Sequence, residues 1–340
     1  MFKEVLNQLL NRQDLPFESM LEVTRLVMSG ELSPVQISAF LIALRMKGET
    51  IDEIAAAATI MRELSTKVEV TNTQCLIDTC GTGGDGIETF NVSTASAFVA
   101  SAAGAKVAKH GGRSVSSTCG SADVLEALGV NVNRTPEQVT ASVDRIGIGF
   151  MFAPNHHSAM KYAAPVRREL GVRTLFNLLG PLTNPANAKR QVMGVFDKNL
   201  TTKLANVLQK LGSEHVMVVH GADGMDEISF SGDTYVAELK NGAVQEYKLN
   251  PKQFGMDLHD LKSIQIKDAA ESKQMVLSVL NGANSPARDI VLLNAGAAIY
   301  VAGLVDDLSA GITKAAEVID SGAAFLKLEQ LKHPSQITSN

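Results

Sequence analysis

The chain has 340 residues, 45% of them hydrophobic, which is enough for one large core or two smaller ones. Its 36 acidic residues outnumber 31 basic ones, and the formal charge of -5 excludes a general electrostatic attraction to nucleic acid or an anionic membrane. Cys75, Cys80 and Cys119 form no paired framework or C-x-x-C knuckle, the opening MFKEVLNQLLNRQDL lacks the apolar core of a signal peptide, and no run reaches the roughly 18 apolar residues of a membrane span, so a reduced, cytoplasmic setting is expected.

In chain order, the first 66 residues read as helices with short joints. Ser33 followed by Pro34 forms a cap with proline at the first helical position, and Thr50 caps the next helix with Glu53 reciprocating three residues on. Ile54, Ala57, Ala58 and Met61 lie along one face of that helix, so an apolar face is expected to remain for a partner, within the chain or in another copy. From about residue 74 the runs CLID, AKVAKH, VNV, QVMGVF and HVMVVHG alternate with helical stretches such as TASAFVASAAG and ADVLEALG, which argues for βα units and a largely parallel sheet. VAELKNGAVQEYKL predicts a hairpin turned at Asn241-Gly242, and the end from about Ala269 to Leu331 is helical again. TLFNLLGPLTNPANA, residues 174 to 188, reads as a crossover or hinge because two prolines and a glycine interrupt it. The expected fold is α/β: a small helical domain, 1–70 plus about 170–190, hinged to a larger domain, 71–169 plus about 191–340, with a mainly parallel central sheet.

GTGGDG, residues 81 to 86, follows a predicted strand and precedes a helix, where bare backbone brings N–H groups close to a ligand in the way proteins cradle phosphate. A tight turn without a ligand is the bland alternative. Gly81, Gly83 and Gly84 with Asp85 match neither a Walker loop nor a clean G-x-G-x-x-G fingerprint. TFNVST then sets Asn91, Ser93 and Thr94 at the positive end of a helix dipole, more donors than capping alone uses. KHGGRSVSSTCGSAD adds Lys109, His110 and Arg113 with the hydroxyls of Ser114, Ser116, Ser117 and Thr118, a second wall suited to phosphate or pyrophosphate. HGADGMDEIS places Asp223, Asp226 and Glu227 after an apolar strand, and hard carboxylate ligands beside a polyphosphate suit Mg²⁺. His156 and His157 lack a third ligand for a zinc site. Arg167, Arg168 and Arg173 are all candidates for a bidentate grip on an organic carboxylate.

GTGGD, NVST, KHGGRSVSSTCGSADVLEALG, HH, PVRRELGVRTLFNLLGPLTNP and DGMDE, in that order, make the chain resemble the anthranilate phosphoribosyltransferase family nearly end to end. The resemblance implies transfer of a phosphoribosyl group from 5-phosphoribosyl 1-diphosphate to the amine of anthranilate in tryptophan biosynthesis, by a homodimer joined through its helical part. It implies diphosphate contacts at Gly81, Gly84, Asp85, Thr89, Asn91, Val92, Ser93, Thr94, Lys109, His110, Gly111, Gly112, Arg113, Ser114, Val115, Ser116, Ser117 and Ser121. Two Mg²⁺ ions per subunit are implied, at Ser93 with Glu227 and at Asp226 with Glu227, and anthranilate contacts at Gly81, Gly112 and Arg167. Such families usually read Lys-His-Gly-Asn-Arg where this chain has Gly112, which removes an amide near anthranilate.

The chemistry matches these residues. Cleavage at the ribose C1 builds negative charge on the departing pyrophosphate, which Lys109 and backbone N–H groups are suited to stabilise. The amine must shed a proton, for which His110 and the substrate's own carboxylate are both candidates. A pyrimidine nucleoside phosphorylase would share Lys-His-Gly and the serines but not need the Asp226-Glu227 pair. A nucleic-acid-binding relative would carry a basic patch, and the acidic balance argues against one.

Overall fold

A computed structural model describes residues 1–114 and 118–334 of the chain. Four helices open it: α1 (Phe2–Leu10), α2 (Phe17–Ser29), α3 (Pro34–Lys47) and α4 (Ile51–Glu63). Both expected capping boxes are present, Ser33 with Gln36 and Thr50 with Glu53. The apolar face expected on α4 meets its partner within the chain, the helix Leu200–Lys210, but it is not one-sided: α2 packs on another flank and Ile54, Ala55, Ala56, Ala57 and Ala58 are all 0% exposed. Small side chains all round let α4 serve as the axis of the bundle. The apolar surface left over lies instead on α1 and α3, where Leu10, Val35 and Met46 are 67%, 78% and 70% exposed.

A seven-stranded sheet follows, in the order β3-β2-β1-β4-β5-β6-β7. Its strands are β1 (Leu76–Gly81), β2 (Lys106–Gly111), β3 (Ile148–Phe152), β4 (Arg190–Gly194), β5 (His215–Gly221), β6 (Thr234–Lys240) and β7 (Ala243–Leu249). β1 to β5 pair in parallel and β6 and β7 antiparallel. The hairpin turns at Asn241 and Gly242, whose φ of 54° and 75° give the primed turn that Asn-Gly favours. VNV is not a strand; it leads from α6 (Ser121–Ala127) toward the next helix, and Val130 and Val132 are buried as loop anchors, while IGFMF forms β3 instead. A short apolar run alone does not distinguish the two.

The strand alternation sends side chains to the two faces of the sheet, and Leu76, Ala108 and Met151 join a smaller third cluster. Ile77, Val107, Val192 and Val219 face α5 (Val92–Ala102) and the C-terminal helices. Cys80, Met193, Val216 and Val218 face a second core, continuous with the helical bundle and with Leu175, Phe176, Leu178, Leu179 and Leu182 of the predicted crossover. That crossover is a short helix, Phe176–Leu179, and a 3₁₀ turn, Gly180–Leu182. Its carbonyls are taken up by separate elements: Gly180 O by His110 Nδ1, Pro181 O by Gln191 Nε2, Leu182 O by Arg62 Nε and Pro185 O by the Val68 N–H. No helix among the described residues is long and apolar enough to cross a membrane.

Glu53 ties the bundle together. It is 0% exposed and accepts from the Leu15 and Thr50 N–H groups at 2.9 and 2.8 Å and from Lys47 Nζ at 2.9 Å. Removing Glu53 leaves Lys47 with Asp14 as its one remaining carboxylate and strips the Leu15 and Thr50 N–H groups of their acceptor, so Glu53→Ala should cost about 3 kcal/mol in urea unfolding. A loss below about 1 kcal/mol would place that ion pair in effective contact with water.

Candidate active site

β1 and β4 are neighbours, but the chain leaves β1 toward β2 on one side and reaches β5 on the other, so the sheet order reverses between them. Open α/β sheets bind ligands in the crevice beyond the carboxyl ends of such strands. Here Gly81 and Gly194 pair directly across that point. A Cβ on Gly194 would lie 1.5 Å from the Asp226 carbonyl oxygen, and one on Gly81 2.4 Å from Asp226 Oδ2. The two bare positions let the 222–228 loop rest on the strand ends. Gly194 was missed in the sequence, although a glycine inside the strand pattern QVMGVF signals close backbone approach.

The glycine loop folds over the same point. Gly83, Gly84 and Gly86 have φ of 63°, 76° and 78°, a region that excludes most side chains. The Gly83 N–H donates to Asp226 Oδ2 at 2.8 Å, and Asp85 accepts from the N–H groups of Ile87, at 3.1 Å, and Asp226. Glu227 accepts from the Ser93 N–H at the first turn of α5. Asp85, Asp226 and Glu227 thus crowd one corner. Burial and the neighbouring Asp85 hold the Asp226 carboxyl up to about 7, and burial with Asp226 holds Glu227 well above the usual range. Asp223 stands apart: Ser229 and Ser231 donate to it, so it braces the loop instead of facing the corner. Asn294, 2% exposed, braces it from behind, accepting from the Ile228 N–H and donating to the Ile228 carbonyl at 2.9 Å each.

Lys109, 2% exposed, brings a buried cation to this corner. The register β1 to β2 aligns Thr79 with Lys109 on the α5 face, where Lys109 Nζ donates to Thr79 O and, at 3.1 Å, to Ser93 Oγ. Burial pulls its pKa down, and Asp78, Cys80, Glu227 and Asp226 draw it back up. His110, one residue on, points to the opposite face. There it is buried, its Nδ1 donates to Gly180 O at 3.2 Å, and its ring lies 5.0 Å from that of His157. Burial and the neighbouring histidines push His110 down to about 3. Asp78, which the sequence did not single out, anchors this face: it accepts from the His110 N–H at 3.2 Å and from Asn184 Nδ2 at 2.8 Å, and burial pushes it up to about 6.

The other named residues divide. Thr89 sits at an isolated bridge to Gln265, Val92 is 1% exposed in the α5 core, and Thr94, also 1% exposed, lines a small cavity with Lys109. Gly111 packs on Ser121, the first residue of α6. Arg113 pairs with Asp123 at 2.9 Å and Glu126 at 2.6 Å, turned toward α6. Asp123 also accepts from the N–H groups of Ser114 and Gly120, at 3.1 and 2.8 Å, and so shapes the loop between β2 and α6. Val115, Ser116 and Ser117 lie outside the described residues. Of the three arginines, Arg168 is exposed and Arg173 lies 4.1 Å over the Phe196 ring and donates to Gly84 O. Arg167 is half-buried over Phe176 with its pKa lowered by burial, and no carboxylate pairs with it among the described residues. Gly112 faces open space, with nothing within 4 Å of a Cβ built there.

A helical bundle joined to an α/β sheet, with a glycine loop folded over the switch point, is the two-part architecture of a glycosyl transferase. The family model described as the glycosyl transferase family helical bundle domain matches residues 3–65, and that described as its a/b domain matches residues 73–325. The chain is 66% identical to the anthranilate phosphoribosyltransferase of Methylobacillus flagellatus over 334 residues, 98% of either chain. Its fold matches the crystal structure of the Thermus thermophilus anthranilate phosphoribosyltransferase with a TM-score of 0.91 and 42% identity, covering 96% of this chain and 98% of that one. The Saccharomyces cerevisiae enzyme, solved in complex with PRPP and Mg, matches with a TM-score of 0.88 and 29% identity over 97% and 96% of the two chains. The chain belongs to the anthranilate phosphoribosyltransferase family, and its activity is the phosphoribosyl transfer that names the family.

The carboxylate corner carries a pH signature. A carboxyl raised from 3.8 to about 7 binds its proton more tightly folded than unfolded, so its ionisation weakens the fold as pH rises through that window. In chelator, wild-type stability should therefore fall relative to Asp226→Asn between about pH 4 and pH 7, by up to about 1 kcal/mol per pH unit. Urea unfolding across that range checks it, and parallel profiles would show that Asp226 is solvated as an ordinary carboxylate.

Proposed function

We propose that the crevice binds 5-phosphoribosyl 1-diphosphate against Gly81, Gly84, Asp85, Ser93 and Lys109 and transfers its phosphoribosyl group to the amine of anthranilate, releasing pyrophosphate. The observation that carries this reading is the convergence of the left-handed glycine loop, the start of α5, a buried lysine and three crowded carboxyls on the Gly81–Gly194 pair. Glycines and N–H groups suit the diphosphate oxygens, and Lys109 suits the negative charge that grows on the leaving group.

The carboxyl corner fits Mg²⁺. Its donors are hard oxygens, its protons are held abnormally high, and a divalent cation would relieve the repulsion that holds them there. Asp226 and Glu227 would hold the metal, with Ser93 Oγ beside them: one ion at Ser93 and Glu227, a second at Asp226 and Glu227. When bound, the metal supplies charge stabilisation to the pyrophosphate.

Arg167 supports the acceptor subsite, since a half-buried guanidinium without a partner carboxylate is suited to grip that of anthranilate. The amine then attacks C1 in line with the departing pyrophosphate, and no covalent enzyme intermediate is needed. His110, neutral at physiological pH with its Nδ1–H committed to Gly180, offers only Nε2 as an acceptor for the amine proton, so the substrate carboxylate is the better placed alternative base. We infer further that 1–70 with about 170–190 move as one unit about the hinge, which would exclude water from the sugar cation. The uncovered apolar stripe of Leu10, Val35 and Met46 supports a homodimer through this unit.

Incubation with 5-phosphoribosyl 1-diphosphate, Mg²⁺ and anthranilate should consume anthranilate fluorescence, and chelation should stop it. Persistence of fluorescence at every substrate concentration would exclude the reading. Because a side chain at Gly112 meets open space, Gly112→Asn should fold normally and restore one amide hydrogen bond, lowering the KM for anthranilate about fivefold with the diphosphate KM unchanged. An unchanged anthranilate KM would separate this loop from the acceptor.

A further inference from the structure

Asn91 stands at the N-cap position of α5, yet its side chain makes no capping hydrogen bond. Asparagine is among the best capping residues, so an uncapped asparagine there calls for a competing use of its amide. Ser272 supplies it. Ser272 is 0% exposed on the helix Ala269–Leu280, its Oγ donates to Asn91 Oδ1 at 2.7 Å, and it accepts from the Asn91 backbone N–H at 3.2 Å. With Oδ1 so occupied, Nδ2 is turned the other way and donates to the Cys119 carbonyl at 3.1 Å. The Cys119 thiol also meets the Ser272 hydroxyl. The orientation of the amide is unambiguous, because a carbonyl only accepts and so must face Nδ2.

The consequence reaches both sides of the crevice. Asn91 begins the helix whose next residues include Ser93, and Cys119 ends the loop that runs from Lys109 to α6. Phe90 is held from the same side, its N–H donating to Ile264 O at 3.1 Å, so the C-terminal part of the chain grips the start of α5 at consecutive residues. We propose that Ser272 is a positioning residue that sets the amide of Asn91 and through it ties the two walls of the diphosphate cradle together. This rests on the diphosphate reading of the crevice. Ser272 touches no substrate and acts only through Asn91 and Cys119.

The test is a double-mutant cycle on Ser272→Ala and Asn91→Ala, with binding of 5-phosphoribosyl 1-diphosphate and Mg²⁺ followed by calorimetry and both KM values measured. Ser272→Ala deletes a single oxygen, and Ser272→Cys, which keeps a weak donor, should fall between it and wild type. In the wild-type background Ser272→Ala should weaken diphosphate binding and raise its KM about fivefold, with the anthranilate KM changed less than about twofold. In the Asn91→Ala background it should add less than about twofold. Equal effects in the two backgrounds, or equal losses for both substrates, would overturn the proposal, because a merely structural serine acts regardless of Asn91. A wild-type protein that binds no diphosphate would instead sink the reading on which the inference rests.

Discussion

Everything at this site depends on a close approach of backbone to backbone. Two parallel strands end in glycine at the same level, and the carbonyl of Asp226 occupies the space where a side chain on Gly194 would stand. From that contact the Asp226 carboxylate reaches the Gly83 N–H, Glu227 reaches the Ser93 N–H, and the glycine loop is pinned above the strand ends. The glycines of this chain therefore have two separate uses. Those of the 83–86 loop supply left-handed conformation, while Gly81 and Gly194 supply room.

The strand period of two then divides labour between the faces of the sheet. Lys109 and Thr79 point to α5 and the carboxyl corner; Asp78, Cys80 and His110 point to the crossover. Adjacent residues of one motif, Lys-His, are thereby separated by a strand's thickness and meet different chemistry. The lysine stays among carboxylates that offset its burial, and the histidine is held neutral by burial and its neighbouring histidines, against the Gly180 carbonyl, which favours the cation. Crossover and sheet are joined by two buried polar contacts, Asn184 to Asp78 and Gln191 to the Pro181 carbonyl, which is the costly kind to leave unmade.

Much of this was legible in the chain. Capping pairs, the Asn-Gly turn, the alternation of strands and helices and the glycine loop each follow from local rules, and their physical causes are local too. The errors came where a local pattern had two tertiary outcomes. VNV and IGFMF are both short apolar runs, and only pairing with β2 makes the second a strand. The α4 alanines look like one face of an amphipathic helix, but residues that small are equally suited to the centre of a bundle. Arg113 and Asp223 carry the expected charges, yet each is already met by neighbours that sequence proximity does not reveal as partners.

What could not be read was the second layer of the site, and the reason is geometric. Asn294, Asn184 and Ser272 are single polar residues in otherwise apolar or helical surroundings, 66, 106 and 181 positions from the residues they hold. No periodicity marks them, because each hydrogen bond needs only one side chain in one place. Their burial is the informative property: a fully buried amide or hydroxyl is retained against its desolvation cost only where it completes a specific pairing. In this fold each such pairing ends on a segment that meets the crevice. The helices of the C-terminal part thus do more than cover the sheet, since two of them also hold the start of α5 and the 222–228 loop beside the strand ends.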